Sequence, residues 1–553
     1  MRETLRKYLL SFWLLGCAIL LMGCPSNNTP NSTADNSGSS NASGATDPVA
    51  FRVIAGSENK TLQPLLDRFA QEHNLNIKVD YAGSVDIMLL LQSGAADYDA
   101  VWPANSLWIT LGDQQKLVKN EQSILWSPVV LGVKKSVAQK LGWVGKKDVR
   151  VQDILAAAES SKLRFMMTSA TQSNSGASAY LGFLYAFSGK PDVLTSQSLA
   201  DPQLRGKIKR LLGTVDRSSG SSGWLKDLFL QKYDTYDAMF NYESVAIEAN
   251  QALAAQGKEP LYAVYPSDGL AIADSPFGYV DHKDAAKEKI FQQMQTYLLS
   301  APIQQEIQKQ GRRVGPVGEE LKTADAAVFN PEWGINVNRF LNQIRYPKAD
   351  VIREALDLYQ SAFRKPSYTV YCLDFSGSME GEREKGLKEA MQMILDQTRA
   401  KQSLLQAAPG DHTTVLIFSS GIIKEMSVDG SDPQKLNQLW AEIDAMHPEG
   451  GTDIYTPIMR GLDLMKQKGD ALTGYFPAII LLTDGESNTG ASFSDLQAHL
   501  QTLGLKQDVP VFAIQFGESD EGQLKQLSES MSGRVFDGKA DLTKAFREVK
   551  GYN

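Results

Sequence analysis

At 553 residues the chain is too long for one hydrophobic core and fits about three units of roughly 100–200 residues each. It carries 56 Lys and Arg against 64 Asp and Glu, a formal net charge of −8. With no basic cluster as well, this excludes a nucleic-acid-binding surface. Five histidines leave little material for histidine-based catalysis or zinc binding, and 42% hydrophobic with 22% charged residues is ordinary globular composition.

Arg2, Arg6 and Lys7 precede the apolar run YLLSFWLLGCAILLM (8–22), shorter than the roughly 18–20 apolar residues that span a bilayer comfortably. The run ends in LMGC (21–24), which resembles the lipobox of bacterial lipoproteins. That resemblance implies a signal peptide over 1–23 and cleavage before Cys24. The cysteine would then carry a diacylglycerol and an amide-linked acyl chain and anchor the protein to a membrane, facing the periplasm or the exterior. The alternatives are an uncleaved anchor or a plain secretory signal. Cys17 leaves with the signal, so besides Cys24 only Cys372 stays, in the apolar stretch TVYCLD, as a small core residue without a disulfide partner. Residues 25–48 are almost wholly Ser, Asn, Thr, Gly, Ala and Pro. With Cys24 they form a flexible tether, reaching about 25–30 Å as a random coil.

Ordered structure is expected from residue 49. AFRVIAG (50–56) reads as a buried strand, and Leu62, Leu65, Leu66 and Phe69 then mark one helix face. NIKVDYAGS, SVDIMLLLQSG and YDAVWPAN continue a β-α-β-α-β series, which predicts a doubly wound sheet with ligand-facing loops at the carboxyl ends of its strands. Residues 49–345 resemble type II extracellular solute-binding proteins. The resemblance is carried by VIAGSENKTLQPLLDRFAQE, YDAVWPANSLW, LWSPVVLGVKK (125–135), QSNSGASAYLGFLYA (172–186), MFNYES (239–244) and LYAVYPSDGLAIADSPFGYV (261–280). It implies a two-lobed domain, lobe one being split over about 50–130 and 265–345. Candidate ligand-binding residues are Ser57, Ser84, Ser173, Asn174 and Ser175 at helix starts, where free N–H groups suit an oxyanion or carboxylate. Each is equally of the type that caps an empty helix. Trp102, Asn105, Trp126, Tyr242, Glu243, Tyr265 and Asp268 complete the cleft candidates. The two acids argue for a cationic or hydroxylated small molecule over a simple phosphate or sulfate, and the domain having lost small-ligand binding is the alternative.

DVIREALDLYQSAFRK lies in a connector over 346–365, with Ile352, Ala355, Leu356 and Tyr359 on one face, predicting a helix packed on a neighbour. Its entry into the following domain suggests a route by which lobe closure could bias Asp374. From 366 to 553 a second β/α series starts, with strands YTVYCLD (368–374), TTVLIFS (413–419), FPAIILLTD (476–484) and VPVFAIQFG (509–517). Their near-continuous apolar runs mark central parallel strands covered on both faces. In SDLQAHLQTLG, Leu496, Leu500 and Leu503 share a helix face and Gly504 is a stop.

Oxygen-bearing side chains gather at the strand ends: Asp374, Ser376 and Ser378 in DFSGS, Thr452 in GGTDIYTP, Asp484 in LLTDGES. Gly377 is expected to permit the tight turn between the serines. The set resembles the metal-ion-dependent adhesion site of von Willebrand factor A (VWA) domains, a doubly wound, Rossmann-like fold, with all five signature positions filled. The resemblance implies direct ligation by Ser376 and Ser378, and by Thr452 in the engaged state, with Asp374 and Asp484 holding waters or hydroxyls from behind. Hard oxygen donors favour Mg²⁺, with Mn²⁺ or Ca²⁺ as alternatives. Such a site under-neutralises its cation and leaves a demand for an Asp or Glu from a protein partner. The expected whole is an α/β, lipid-anchored, non-enzymatic binding protein, its first domain sensing or tethering. A transport receptor with an accessory VWA domain is the main alternative, and a metal-assisted hydrolase using Asp374 or Asp484 a third.

Overall fold

The computed structural model describes residues 49–551 apart from 317–320, 322–323, 339–340, 516, 518–520 and 540–541. The expected signal peptide, Cys24 and tether lie outside the described residues. Among the described residues no helix is long and apolar enough to cross a membrane.

The fold is α/β throughout and is organised by three sheets. The first has five strands in the order Leu75–Ala82, Val49–Gly56, Ala100–Trp102, Pro276–Val280, Val118–Ser123. Its first three strands pair in parallel, and Pro276–Val280 returns antiparallel to Ala100–Trp102. Helices Gln63–Glu72 and Ser84–Gln92 connect the parallel strands, and Leu62, Leu65, Leu66 and Phe69 all enter the core, as the heptad-like spacing demands.

The chain crosses at Ser127–Lys134 into a second sheet, where Ala238–Tyr242, Phe165–Thr168 and Val215–Ser219 follow in order. It crosses back after Ile272–Ala273. Two lobes result, the first discontinuous. The described residues of 324–345, expected with lobe one, pack on lobe two instead. Phe329, Ile335 and Leu341 join Val130, Ile247 and Tyr265 in one apolar cluster.

The third sheet carries Ile422–Asp429, His412–Phe418, Ser367–Asp374, Phe476–Thr483, Val511–Gln515 and Val535–Asp537 in that order. All neighbours are parallel except the first pair. Alternation along Ser367–Asp374 sends Tyr371 and Leu373 to one face, under helices Glu382–Leu395, Pro433–Asp444 and Leu542–Lys550. Val370 and Cys372 go to the other face, under Tyr455–Gln467 and Phe493–Leu503. Cys372 is a free, buried thiol. Gly504 ends its helix in the left-handed region (φ 59°).

The connector is helix Ala349–Leu358 extended by a π turn, Tyr359–Phe363. Ile352, Ala355, Leu356 and Tyr359 are buried in a cluster with Tyr180 and Phe183 of lobe two and with Leu404 and Phe476 of the last domain. Tyr180 Oη donates to the Ala355 carbonyl at 2.9 Å, and Gln360 Nε2 donates to the Gln406 carbonyl at 3.0 Å. Burying a side chain such as Leu356 stabilises by about 1.5–3 kcal/mol, so the connector fastens the domains together. It enters the strand at Ser367, the end opposite Asp374. The expected proximity between connector and Asp374 is therefore not found.

Candidate functional site

Three loops meet at the carboxyl ends of the central strands of the third sheet. Asp374 terminates a strand in which every residue is buried. One carboxylate oxygen accepts the Ser376 amide at 2.8 Å, folding the chain sharply, and the other accepts the Thr483 hydroxyl at 2.6 Å. Gly377 N–H donates to the Gly450 carbonyl at 3.0 Å, and Glu449 N–H to the Phe375 carbonyl at 2.8 Å, stitching the serine loop to the Thr452 loop. The left-handed conformation this needs falls on Gly450 (φ 77°) and Gly381 (φ 92°), not on Gly377. A Cβ at Gly377 would meet the Gly450 carbonyl oxygen at 3.4 Å, an ordinary contact, so the expected need for glycine there is not found.

Ser376 Oγ lies 3.2 Å from Ser378 Oγ, and Ser378 Oγ donates to Asp484 Oδ1 at 2.9 Å. Thr452 is held by Asn488, whose side-chain oxygen accepts its amide at 2.9 Å. A Cβ placed on Gly485 would sit 3.6 Å from Thr452 Oγ1 and 3.7 Å from Ser378 Oγ, so these hydroxyls flank one small space. Asp374, Ser376, Thr452 and Asp484 are buried, whereas Ser378 is exposed, and the cluster opens to solvent on that side.

Burial pushes the Asp374 carboxyl up to about 6, the Thr483 and Ser376 hydrogen bonds opposing the rise and the Asp484 charge adding to it. Asp484 forms an ion pair with Arg383, whose guanidinium also donates to the Ser378 carbonyl at 3.1 Å. Among the described residues no group of three His, Cys, Asp or Glu gathers at metal-binding spacing; the cluster has two carboxylates and three hydroxyls. An octahedral Mg²⁺ with oxygens at about 2.1 Å holds neighbouring oxygens about 3 Å apart. The observed spacings of 3.2 and 2.9 Å fit that demand. Thr483, Arg383 and Asn488 belong to the cluster and were not anticipated.

A family model for the von Willebrand factor type A domain matches residues 370–548, and one for bacterial extracellular solute-binding proteins matches 51–313. The chain carries a solute-binding domain followed by a VWA domain. Inter-alpha-trypsin inhibitor heavy chain H1 of Bos taurus is 28% identical over 173 residues, covering 30% of this chain and 18% of the relative. Heavy chain H2 of Homo sapiens is 26% identical over 202 residues, covering 33% and 20%. The chain thus spans about a fifth of the length of these curated relatives. Among solved structures, a solute-binding protein of Agrobacterium radiobacter K84 in complex with ribitol is 12% identical (TM-score 0.43), covering 57% of this chain and 92% of that one. A VWA structure from Catenulispora acidiphila is 20% identical (TM-score 0.27), covering 34% and 43%.

In the solute-binding domain most cleft candidates are engaged internally. Ser84 Oγ accepts the Ala104 amide, Asp268 accepts the Val151 amide, and Asn105 caps its helix through the Leu107 amide. Trp102 Nε1 donates to Ser275 Oγ at 3.0 Å, and the Trp126 backbone pairs with Arg313. Glu243 takes a bidentate bond from Arg313 at 2.8 and 2.9 Å and also accepts the Tyr265 hydroxyl. Ser173 and Ser175 share hydrogen bonds with Ser222, while Asn174 accepts from Trp108 Nε1 and donates to Tyr242 Oη.

Ser57 alone among these candidates lines the open cavity between the lobes, of about 360 Å³, with Gly83 and Ser221. A third wall comes from the VWA domain through Arg534 and Glu548. Gln172 Nε2 donates to the Arg547 carbonyl at 2.6 Å, so the last VWA helix lies against the cleft.

Proposed function

We propose that this protein is a lipid-anchored, non-enzymatic binding protein of the periplasm or cell exterior that engages a protein partner through a divalent cation in its VWA domain. Ser376, Ser378 and Thr452 would hold the cation with Asp374 and Asp484, and Mg²⁺ suits the donors best. The bound ion supplies a coordination position for an acidic side chain of the partner. The convergence of five oxygen-bearing side chains from three remote segments carries this reading, with Ser378 at the solvent-facing edge. Thr483 and Asn488 hold the donors in place, and Arg383 offers an internal cation to Asp484 when no other is bound. The solute-binding domain, fastened to the VWA domain by the buried connector, senses or tethers.

Co-purification from a membrane extract in Mg²⁺ and in chelator tests the proposal. Partners retained only with Mg²⁺, and lost with Asp484→Ala, support it. An identical set of partners under both conditions contradicts it.

A second reading, a transport receptor for a small molecule, is favoured by the interlobe cavity. The VWA residues lining that cavity weigh against an ordinary receptor, whose lobes must part freely. A thermal-shift screen of amino acids, polyols and oxyanions separates the two, since a receptor is stabilised by its solute.

A further inference from the structure

A second cavity, of about 370 Å³, lies at the seam between lobe two and the VWA domain. It touches Phe476 and Pro510, at the amino-terminal ends of the strands, whereas the metal-site cluster sits at their carboxyl ends. Its lining is strongly basic: Arg164, Arg217, Lys232, Lys365 and Lys506 against Asp216 and Asp508.

Three of these cations are already paired. Arg164 bonds Asp216 at 2.9 Å, Lys232 bonds Asp508 at 2.8 Å, and Lys506 bonds Asp470 at 2.5 Å. Arg217 and Lys365 have neither a carboxylate partner nor a side-chain hydrogen-bond acceptor among the described residues. Arg217 is only 7% exposed, and its Nη2 is fully buried without an acceptor. Its guanidinium lies 5.8 Å from the Phe512 ring, and the Lys365 ammonium 5.2 Å from the Phe476 ring; Asp508 and Asp216 act on them only at a distance, without a hydrogen bond or ion pair among the described residues. A ring face compensates a desolvated cation poorly compared with an anionic oxygen.

We propose that the seam cavity is a binding site for a small polyvalent oxyanion, whose phosphate or carboxylate group sits against Arg217 and Lys365. A guanidinium presents a planar fork that suits either group, and the ammonium adds a point charge. The protein charges around the cavity leave an excess of cations that such an anion would neutralise. Burial lowers the pKa of both groups, Tyr236 and Asp508 partly offsetting it at Arg217 and Asp216 at Lys365; a bound anion would reverse that tendency. The site needs both domains, so its ligand would strengthen their docking. It is independent of the metal site.

The test is calorimetry and thermal unfolding of the full chain in chelator, with inorganic phosphate, pyrophosphate or citrate, against sodium chloride at matched ionic strength. At least one of the three should raise the Tm above the chloride control. A larger response to the phosphates assigns phosphate chemistry, and a larger response to citrate assigns carboxylate chemistry. Arg217→Met and Lys365→Met should each weaken binding roughly tenfold or more, while Asp374→Ala should leave it unchanged. Lys365→Met decides the matter if Arg217→Met does not fold. Equal Tm in all three anions and chloride overturns the proposal. So does a wild-type response in a folded Lys365→Met protein.

Discussion

Arg547, on the last helix of the VWA domain, pairs with Asp86 of lobe one at 2.5 Å across 461 residues of sequence. Both side chains are 17% exposed, so solvent screens the pair only partly. This contact, beside the Gln172 bond to the Arg547 carbonyl, makes the VWA domain a wall of the interlobe cleft. A double-mutant cycle on Arg547→Ala and Asp86→Ala should give a coupling energy of about 1–2 kcal/mol in urea unfolding. Additive effects would mean that the contact does not hold the domains.

Thr483 supports Asp374 by a 2.6 Å hydrogen bond while lying outside the donor set. Groups that orient a ligand from behind typically govern about 10–100-fold in metal affinity. Thr483→Val, close in shape, should weaken Mg²⁺ binding by about tenfold in calorimetry while leaving the circular dichroism spectrum intact. Unchanged affinity would show that the serine loop alone orients Asp374.

Arg383 pairs with Asp484 and would compete with a cation bound beside it. Its side chain is 40% exposed, so the competition is screened and modest. Arg383→Gln should tighten Mg²⁺ binding by about three- to tenfold, with the gain shrinking as salt is raised. A weaker site in the variant would instead make Arg383 a support of the cluster.

Glu58 has a buried carboxyl oxygen without a partner among the described residues, and burial pushes its pKa up from 4.5 to about 7. Its own backbone amide and Arg312 oppose that rise. An acid raised in the folded state holds its proton there after the unfolded chain has lost it. The stability linked to Glu58 is therefore greatest below about 4.5, falls as pH rises toward 7, and is level above. The fall should total about 3 kcal/mol. Denaturation of wild type and Glu58→Gln from pH 5 to 8 should show most of this slope in wild type only. Parallel curves would mean that Glu58 reaches solvent.

The convergence of Asp374, Ser376, Ser378, Thr452 and Asp484 was legible because these residues sit where apolar strands stop or on the loop beside them. Runs such as AIILL mark central strands covered on both faces, and DFSGS and TDGES follow such runs directly. Thr483, Arg383 and Asn488 left no comparable signal, since each meets its partner only when the loops converge. The edge strand Ile422–Asp429 was missed because it is mostly exposed and charged residues interrupt it. In the cleft, Ser84, Asn105 and Asp268 are residue types that bind ligands and backbone amides equally well, and here they take amides. The role of segment 324–345 on lobe two depends on packing across hundreds of residues, which local pattern does not carry.

The central claim is that Asp374, Ser376, Ser378, Thr452 and Asp484 together hold one divalent cation. Isothermal titration of the chelator-treated full chain with Mg²⁺, Mn²⁺ and Ca²⁺ tests it most directly. The account predicts saturable uptake of one ion per chain in wild type and its loss in Asp374→Ala. No uptake of any of the three, or equal uptake by the variant, would contradict it.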